Sequence, residues 1–222
     1  MKNALAQLVL QSDALSKLTL IVLLVMSIVC WTITFYKLFN LYNQNKQLEQ
    51  VEQAVRTATD TQDLLTAVSP YRNTAAGELV IKYLNSIKLV LRQKQSINLL
   101  TDQDFDYLQY LSDQNLAQIS HDNEVNLSVL SVSAAVAPLI GLFGTVWGLI
   151  HSFVSISALK NADITTVAPG IAEALIVTLA GLIIAIPALV SFHSINTRIR
   201  DLEHRMQNLL SKVEFVIRQN SN

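Results

Sequence analysis

The sequence predicts an all-α membrane protein with three spans, whose long helices extend into a helical domain outside the bilayer. Hydrophobic residues make up 51% of the 222 residues and charged residues only 15%, a balance more apolar than that of most soluble domains. Three apolar runs are each long enough to cross a bilayer as a helix. Elsewhere the apolar side chains recur every three or four residues without strict alternation, which indicates helices and no sheet.

The first predicted span covers residues 18–37 and follows a short mixed segment, residues 1–17. It is an uncharged run that Lys37 closes. A cleaved signal peptide is the alternative interpretation. That would need a shorter apolar core and a small-residue cleavage site, whereas this run ends in Thr-Phe-Tyr-Lys. We therefore expect a retained helix.

Residues 38–124 carry most of the acidic side chains and predict a helical cytoplasmic domain. Two amphipathic stripes and one helix start, at Thr101, support this prediction. The stripes consist of Leu41, Leu48, Val51 and Val55, and of Leu79, Tyr83, Ile87, Val90 and Leu91. A region of this size is small for an independent core, so we expect it to pack on extensions of the membrane helices.

The second and third predicted spans are residues 127–159 and 164–197, joined by the link 160–163. So short a link makes them antiparallel neighbours. The uncharged run from Val125 to Leu159 is longer than a bilayer requires. We therefore expect the second span to begin outside the hydrocarbon, as a continuation of the helix that starts near residue 102. Residues 198–222 continue the third span as a heptad-like helix.

Basic residues predict the orientation. The link 160–163 has one lysine, whereas four basic residues follow the third span within 15 positions: Arg198, Arg200, Arg205 and Lys212. The excess of positive charge marks the cytoplasmic side. The C-terminal helix and residues 38–124 are then cytoplasmic, and the N-terminus and the link lie on the opposite side.

Both later spans carry a face of small residues, and the third also carries a carboxylate. These small residues are Gly141, Gly144 and Gly148, and Gly170, Ala174, Gly181 and Ala185, with Thr145 and Thr178 beside them. Glu173 is the membrane carboxylate. Such a group is costly in a bilayer, so we expect a function for it, with structural pairing as the alternative. Glu173 and Thr178 point about 140° apart on a helix, so the small face with Thr178 is the better candidate for meeting a partner.

Several functional classes are excluded by absent patterns. The glycine-rich GLFGTVWG lacks the Gly-Lys-Ser/Thr of a phosphate loop, and no nucleophile or zinc-protease motif occurs, so we expect no enzyme. The four histidines lack metal-ligand spacing and the one cysteine makes no site, so we expect no metal or cofactor. A net charge of -1 without a basic patch argues against nucleic-acid binding.

Two segments resemble a known family. APLIGLFGTVWGLIHSFVSIS and VAPGIAEALIVTLAGLIIAIPALV are similar to the paired second and third spans of the TolQ, ExbB and MotA stator family. The short segment before the first span and the histidine of WGLIHSF favour the TolQ branch over the ExbB branch.

The resemblance implies a proton-channel and motor subunit of the bacterial inner membrane, with a periplasmic N-terminus. It implies a homopentamer around a dimer of a TolR-like single-span protein, driven by the proton motive force. Thr145 and Thr178 would line the ion pathway, with Glu173 nearby. Such a motor energises a TolA-like protein of the Tol-Pal system for outer-membrane integrity and cell-division constriction. The alternatives are an ExbB-like subunit that drives TonB-dependent nutrient uptake and a non-conducting scaffold.

Overall fold

The computed structural model describes residues 14–58, 61–93, 100–159 and 164–220. Within these residues the chain is helical and contains no strand, so the all-α prediction is confirmed. A 3₁₀ turn at Ser69–Tyr71 separates the second and third helices. The helices are α1 (Ala14–Thr57), α2 (Thr61–Val68), α3 (Ala75–Gln93), α4 (Asp102–Glu124), α5 (Leu127–Leu159) and α6 (Ile164–Asn220).

Three of the described helices are long and apolar enough to cross a membrane. They contain the candidate spans Ala14–Thr57, Leu127–Val154 and Val167–Gln219. The predicted link 160–163 and nearly all of the predicted N-terminal segment 1–17 lie outside the described residues. The chain divides into two compact units: residues 1–35 with 126–194, and residues 36–125 with 195–222. Helices α1 and α6 contribute residues to both.

The first unit, the membrane unit, has a small apolar core and an apolar exterior. Leu23 of α1, Ala137 of α5, and Val177 and Ala185 of α6 are buried together. Large apolar side chains remain exposed on all three helices, for example Leu24, Phe153 and Ile186. An apolar outer surface of this kind suits contact with lipid, because apolar side chains are exposed at no cost to hydrocarbon chains, whereas they are costly to expose to water.

The second unit is an α-helical assembly whose core consists of the amphipathic stripes. Leu41, Leu48, Val51 and Val55 are each at most 2% exposed. In the second stripe Leu79, Tyr83 and Ile87 are buried, whereas Val90 and Leu91 are half-buried. Along the end of α6 the buried residues are Ile199, Leu202, Met206, Leu209 and Val213. The Arg205 guanidinium of α6 donates to the Glu52 carboxylate of α1 at 3.2 Å. It also donates to the side-chain oxygen of Asn45, again at 3.2 Å.

The expected continuous helix from residue 102 into the second span is wrong. Helix α4 ends at Glu124 and α5 begins at Leu127. Asn126 between them has φ 68°, a left-handed conformation that interrupts the helical hydrogen-bond ladder. Asparagine adopts this conformation more readily than most residues. Neither proline nor glycine stands at this break, so the sequence offered only a weak signal for it.

Lys37 lies inside the second unit and is not at a helix end. It is only 4% exposed, and α1 continues past it to Thr57. Its ammonium donates to the backbone carbonyl of Asn123 at 2.7 Å, and more weakly to that of Asp122 at 3.4 Å. The last carbonyls of a helix have no partner within it. Lys37 therefore caps the C-terminus of α4.

Candidate ion-pathway site

The predicted small-residue faces of α5 and α6 pack against each other within one chain. A Cβ atom on Gly141 would lie 3.0 Å from the Cα of Thr178, and one on Gly148 would lie 2.9 Å from the Cβ of Ala174. A Cβ on Gly181 would lie 2.5 Å from the carbonyl oxygen of Ala137. Small residues let membrane helices approach this closely. The glycines therefore serve the contact between the two spans.

The remaining small residues extend the same contact. Gly144 lies under the side chain of Val177, and a Cβ on Gly170 would meet the Ser152 hydroxyl. Ala174 and Ala185 of α6 are both buried. All seven small residues named from the sequence thus lie on the packed faces of α5 and α6, where Gly148 and Gly170 are half-buried and the other five are buried.

Thr178 forms a hydrogen bond between the two helices. Its hydroxyl donates to the backbone carbonyl of Gly141 at 2.8 Å. Thr145 stands one turn from Gly141 on α5 and is also half-buried. Its hydroxyl donates to the carbonyl of Leu142 in its own helix at 2.7 Å. Both donors are engaged, while each hydroxyl oxygen retains the capacity to accept a hydrogen bond.

Thr145 and Thr178 lie on the same side of the α5–α6 pair. Helix geometry places Thr145 about 40° from Gly141 around α5, and Gly141 is the acceptor of Thr178. Helix α1 packs on the other side, where Gly144 lies near the Thr19 hydroxyl. The structure therefore places the two predicted threonines on the same flank, away from α1.

Glu173 is not part of this threonine flank. It is half-buried on α6, and Ala174 and Val177 occupy the face toward α5. Eighteen residues make five helical turns, so Glu173 shares its direction with Ser191. Ser191 lines a small cavity with Ser27, Cys30 and Thr34 of α1. Glu173 thus points toward the flank on which α1 packs.

The buried side of α1 is more polar than the sequence interpretation allowed. Ser16, Thr19 and Thr34 are each at most 7% exposed; Thr19 and Thr34 lie within the predicted span 18–37, and Ser16 lies just before it. Their spacings of 3 and 15 residues return to one face of a helix. This regularity was available in the sequence and could have identified the face. Thr19 donates to the carbonyl of Ser16 at 2.8 Å, which satisfies its hydroxyl locally.

No metal-binding group of histidine, cysteine, aspartate or glutamate side chains occurs among the described residues. The polar groups that line the threonine flank are the hydroxyls of Thr145 and Thr178 and the backbone carbonyls that accept from them. Such an arrangement can hold water and pass hydrogen bonds along a helix pair.

Comparison with known proteins identifies the family. Residues 83–208, more than half of the chain, match the MotA/TolQ/ExbB proton channel family. The chain belongs to this family. The matched region contains both the α5–α6 contact and the two threonines, so the geometry described above lies in the part of the chain that family membership covers.

Individual relatives come from two branches of the family. The chain is 42% identical to the Tol-Pal system protein TolQ of Haemophilus influenzae over 94 residues, which are 42% of this chain and 41% of the relative. It is 30% identical to the biopolymer transport protein ExbB of Pseudomonas putida over 82% of this chain and 54% of the relative. It is 48% identical to ExbB of Salmonella typhimurium over 29% of this chain and 26% of the relative. These matches cover between 26% and 54% of the relatives' own length, so the chain spans about half of each relative or less.

Proposed function

We propose that this protein is the multi-pass subunit of a proton-driven motor in the bacterial inner membrane. The observation that carries the proposal is the position of Thr145 and Thr178 on one flank of the α5–α6 contact, away from α1. In a ring of copies, this flank faces the central axis and meets the single spans of a partner protein. Membership of the proton channel family supports the same assignment.

The proposed pathway uses the threonines as polar stations for water. Because both hydroxyl hydrogens are donated to carbonyls of α5, each oxygen faces the pathway as an acceptor. A threonine does not carry charge and Glu173 lies on the other flank of α6, so a titratable group on the partner binds the proton. The membrane potential supplies about 2.3 kcal/mol per charge moved through 100 mV, which is sufficient to bias a conformational step.

Glu173 has a supporting role in this mechanism. It lies on the other flank of α6 from Thr178, so one narrow pathway does not contact both side chains. A half-buried carboxylate near the pathway lowers the potential for a passing cation and raises proton occupancy there. We therefore assign the tuning of the pathway to Glu173, and the direct contact with the partner to the threonine flank.

The partners follow from the branch of the family. We propose a homopentamer around a dimer of a TolR-like single-span protein, acting on a TolA-like transducer of the Tol-Pal system for outer-membrane integrity and cell-division constriction. The similarity to TolQ of Haemophilus influenzae supports this branch. The similarity to ExbB proteins supports the second candidate, a subunit that energises a TonB-like protein for nutrient uptake.

A proton-flux measurement tests the proposed function. The protein and its single-span partner are reconstituted in vesicles, and acidification of the lumen under an imposed potential is followed with a pH-sensitive dye. We expect the double variant Thr145→Val, Thr178→Val to lose the flux while the complex still assembles. The matched control is Thr32→Val, because the exposed Thr32 hydroxyl bonds only to the Ile28 carbonyl of its own helix.

The same measurement separates the motor from a non-conducting scaffold. The extensive packing of the small residues within one chain is what favours a scaffold. If the protein is a scaffold, the double threonine variant and the Thr32→Val control show equal flux and equal envelope function, and Glu173→Gln lowers assembly of the complex. In the motor, Glu173→Gln assembles normally and conducts more slowly. Copurification with a TolA-like or a TonB-like protein decides between the two branches.

A further inference from the structure

An apolar groove with two cations lies at the end of α1 in the second unit. Its walls come from α1 and α6, and its cavity volume is about 540 Å³. Phe215 on its rim is 67% exposed, unusually high for a phenylalanine outside a membrane. Val55, Arg56, Asn208, Lys212, Phe215 and Val216 line what we term the cationic groove.

The two cations of the groove are available to a partner. Within the part of the chain that the structure describes, neither Arg56 nor Lys212 forms an ion pair. On the same helix as Lys212, by contrast, Arg205 binds Glu52, and Arg218 binds Glu214 at 3.0 Å. An apolar floor beside two unpaired cations suits a helix that carries aromatic and acidic side chains.

The same unit presents a surface of this complementary chemistry on α4. Asp106, Tyr110 and Asp113 recur at four and three residues, so they share one helix face, and all three are exposed. Among the described residues the two carboxylates have no ion-pair partner. We refer to these three residues as the acidic face. It carries two negative charges, matching the two positive charges of the cationic groove.

The two surfaces cannot satisfy each other within one chain, because α4 packs on a different side of α6. Arg218 reaches Asp102 and the ring of Phe105 in α4. Lys212 and Arg218 are six residues apart, so their side chains point about 120° apart around α6. A surface and its complement on different sides of one subunit form a head-to-tail contact, which generates a ring when the rotation between successive copies closes.

We propose that the acidic face of one copy docks into the cationic groove of the next copy in the ring. This inference rests on the homo-oligomer of the proposed function and specifies its cytoplasmic contact. Tyr110 packs against Phe215, while Asp106 and Asp113 pair with Arg56 and Lys212. Charge complementarity selects a second copy as the occupant, because this chain itself supplies the matching helix.

Cysteine crosslinking in membranes tests the contact. In a Cys30→Ser background, Tyr110→Cys combined with Phe215→Cys is expected to yield a disulfide-linked ladder of this chain up to the full ring. The matched control combines Phe215→Cys with Leu89→Cys, since Leu89 is equally exposed on α3 but belongs to neither surface. We expect no ladder from the control.

Charge reversal supplies the second measurement. Arg56→Glu with Lys212→Glu should lower the ladder roughly tenfold, as expected from two exposed ion pairs, and Asp106→Lys with Asp113→Lys should restore it. An intact oligomer on native mass spectrometry without the Tyr110–Phe215 ladder overturns the proposal, as does crosslinking of Phe215→Cys to a different protein. Neither result affects the proton-flux test, which depends only on the membrane unit.

Discussion

The hydroxyl of Thr178 lies 2.8 Å from the carbonyl oxygen of Gly141, and this bond ties the third span to the second. Gly141 permits the bond because it has no side chain, which lets the two backbones approach to contact distance. One residue pair thus combines close packing with a polar group inside the membrane unit. The same threonine contributes to helix packing and to the proposed pathway, and these contributions can be separated.

Thr178→Ser and Thr178→Val separate packing from the pathway. Serine keeps the donor to Gly141, whereas valine keeps the shape and loses the hydroxyl. Because hydrogen bonds between membrane helices contribute about 0.6 kcal/mol on average, we expect Thr178→Val to lower stability only slightly. Its proton flux should nevertheless be lost, while Thr178→Ser conducts. Unfolding in detergent and vesicle flux are the two measurements. A large loss of stability with valine would instead assign the residue a structural role.

Gly181→Ala should destabilise the membrane unit more than Gly170→Ala. At Gly181 the new methyl would lie 2.5 Å from the backbone carbonyl oxygen of Ala137, so the helices have to separate. Overpacking of this kind costs about 1–3 kcal/mol. At Gly170 the methyl meets the hydroxyl of Ser152, a side-chain end that can rotate away.

Detergent unfolding of both variants checks this difference. Glycine and alanine differ in helix propensity by the same amount at both positions, so the comparison cancels that term. Adding Ser152→Ala to Gly170→Ala should restore any small loss of stability. No substitution at Ala137 can restore the stability of Gly181→Ala, because the obstructing atom there is a backbone oxygen. Equal losses in both variants would contradict the close contact at Gly181.

Much of the fold could be predicted because bilayer crossing imposes length and composition on a helix. The uncharged runs predicted three membrane helices, and the stripe from Leu41 to Val55 predicted a buried face. The break at Asn126 was missed because its left-handed conformation depends on tertiary packing, with no proline or glycine to signal it. Lys37 closes an uncharged run in the sequence, but the sequence cannot show that its ammonium has backbone carbonyls to bind.

The candidate site was predictable in its residues and less so in its arrangement. Spacing alone placed Thr178 and Glu173 on different sides of α6. It could not show whether the small face of α6 meets a partner or the neighbouring span, because both contacts require the same small residues. The close approach of Gly181 to Ala137 shows that this face serves the contact with α5.

Lys37→Met should destabilise the second unit considerably more than Lys46→Met. The buried Lys37 ammonium donates to the Asn123 carbonyl, and methionine leaves that carbonyl without a donor. An unsatisfied buried polar group costs about 1–3 kcal/mol. Lys46 is exposed on the same helix, so its substitution removes charge without disturbing the C-terminus of α4. Chemical unfolding of the purified protein measures both, and comparable midpoints for the two variants would refute the capping role.

Tyr83→Phe should be neutral or stabilising at pH 7 and should protect the protein at alkaline pH. The Tyr83 hydroxyl is buried and has no hydrogen-bond partner within the described residues, so phenylalanine leaves no group newly unsatisfied. Burial, with the Glu214 carboxylate nearby, raises the pKa of Tyr83 above its usual 10.0. The unfolded chain therefore loses this proton first.

The direction in which stability changes with pH follows from that order of ionisation. Below pH 10.0 the hydroxyl is neutral in both states, and above it only the unfolded state gains by ionising, so stability falls as pH rises. Tyr83→Phe removes this loss, whereas Tyr107→Phe, at an exposed position, should follow the parent protein. Unfolding midpoints compared at neutral pH and above pH 10 measure the difference. Parallel alkaline losses in all three proteins would show that Tyr83 ionises as readily in the folded state as in the unfolded one.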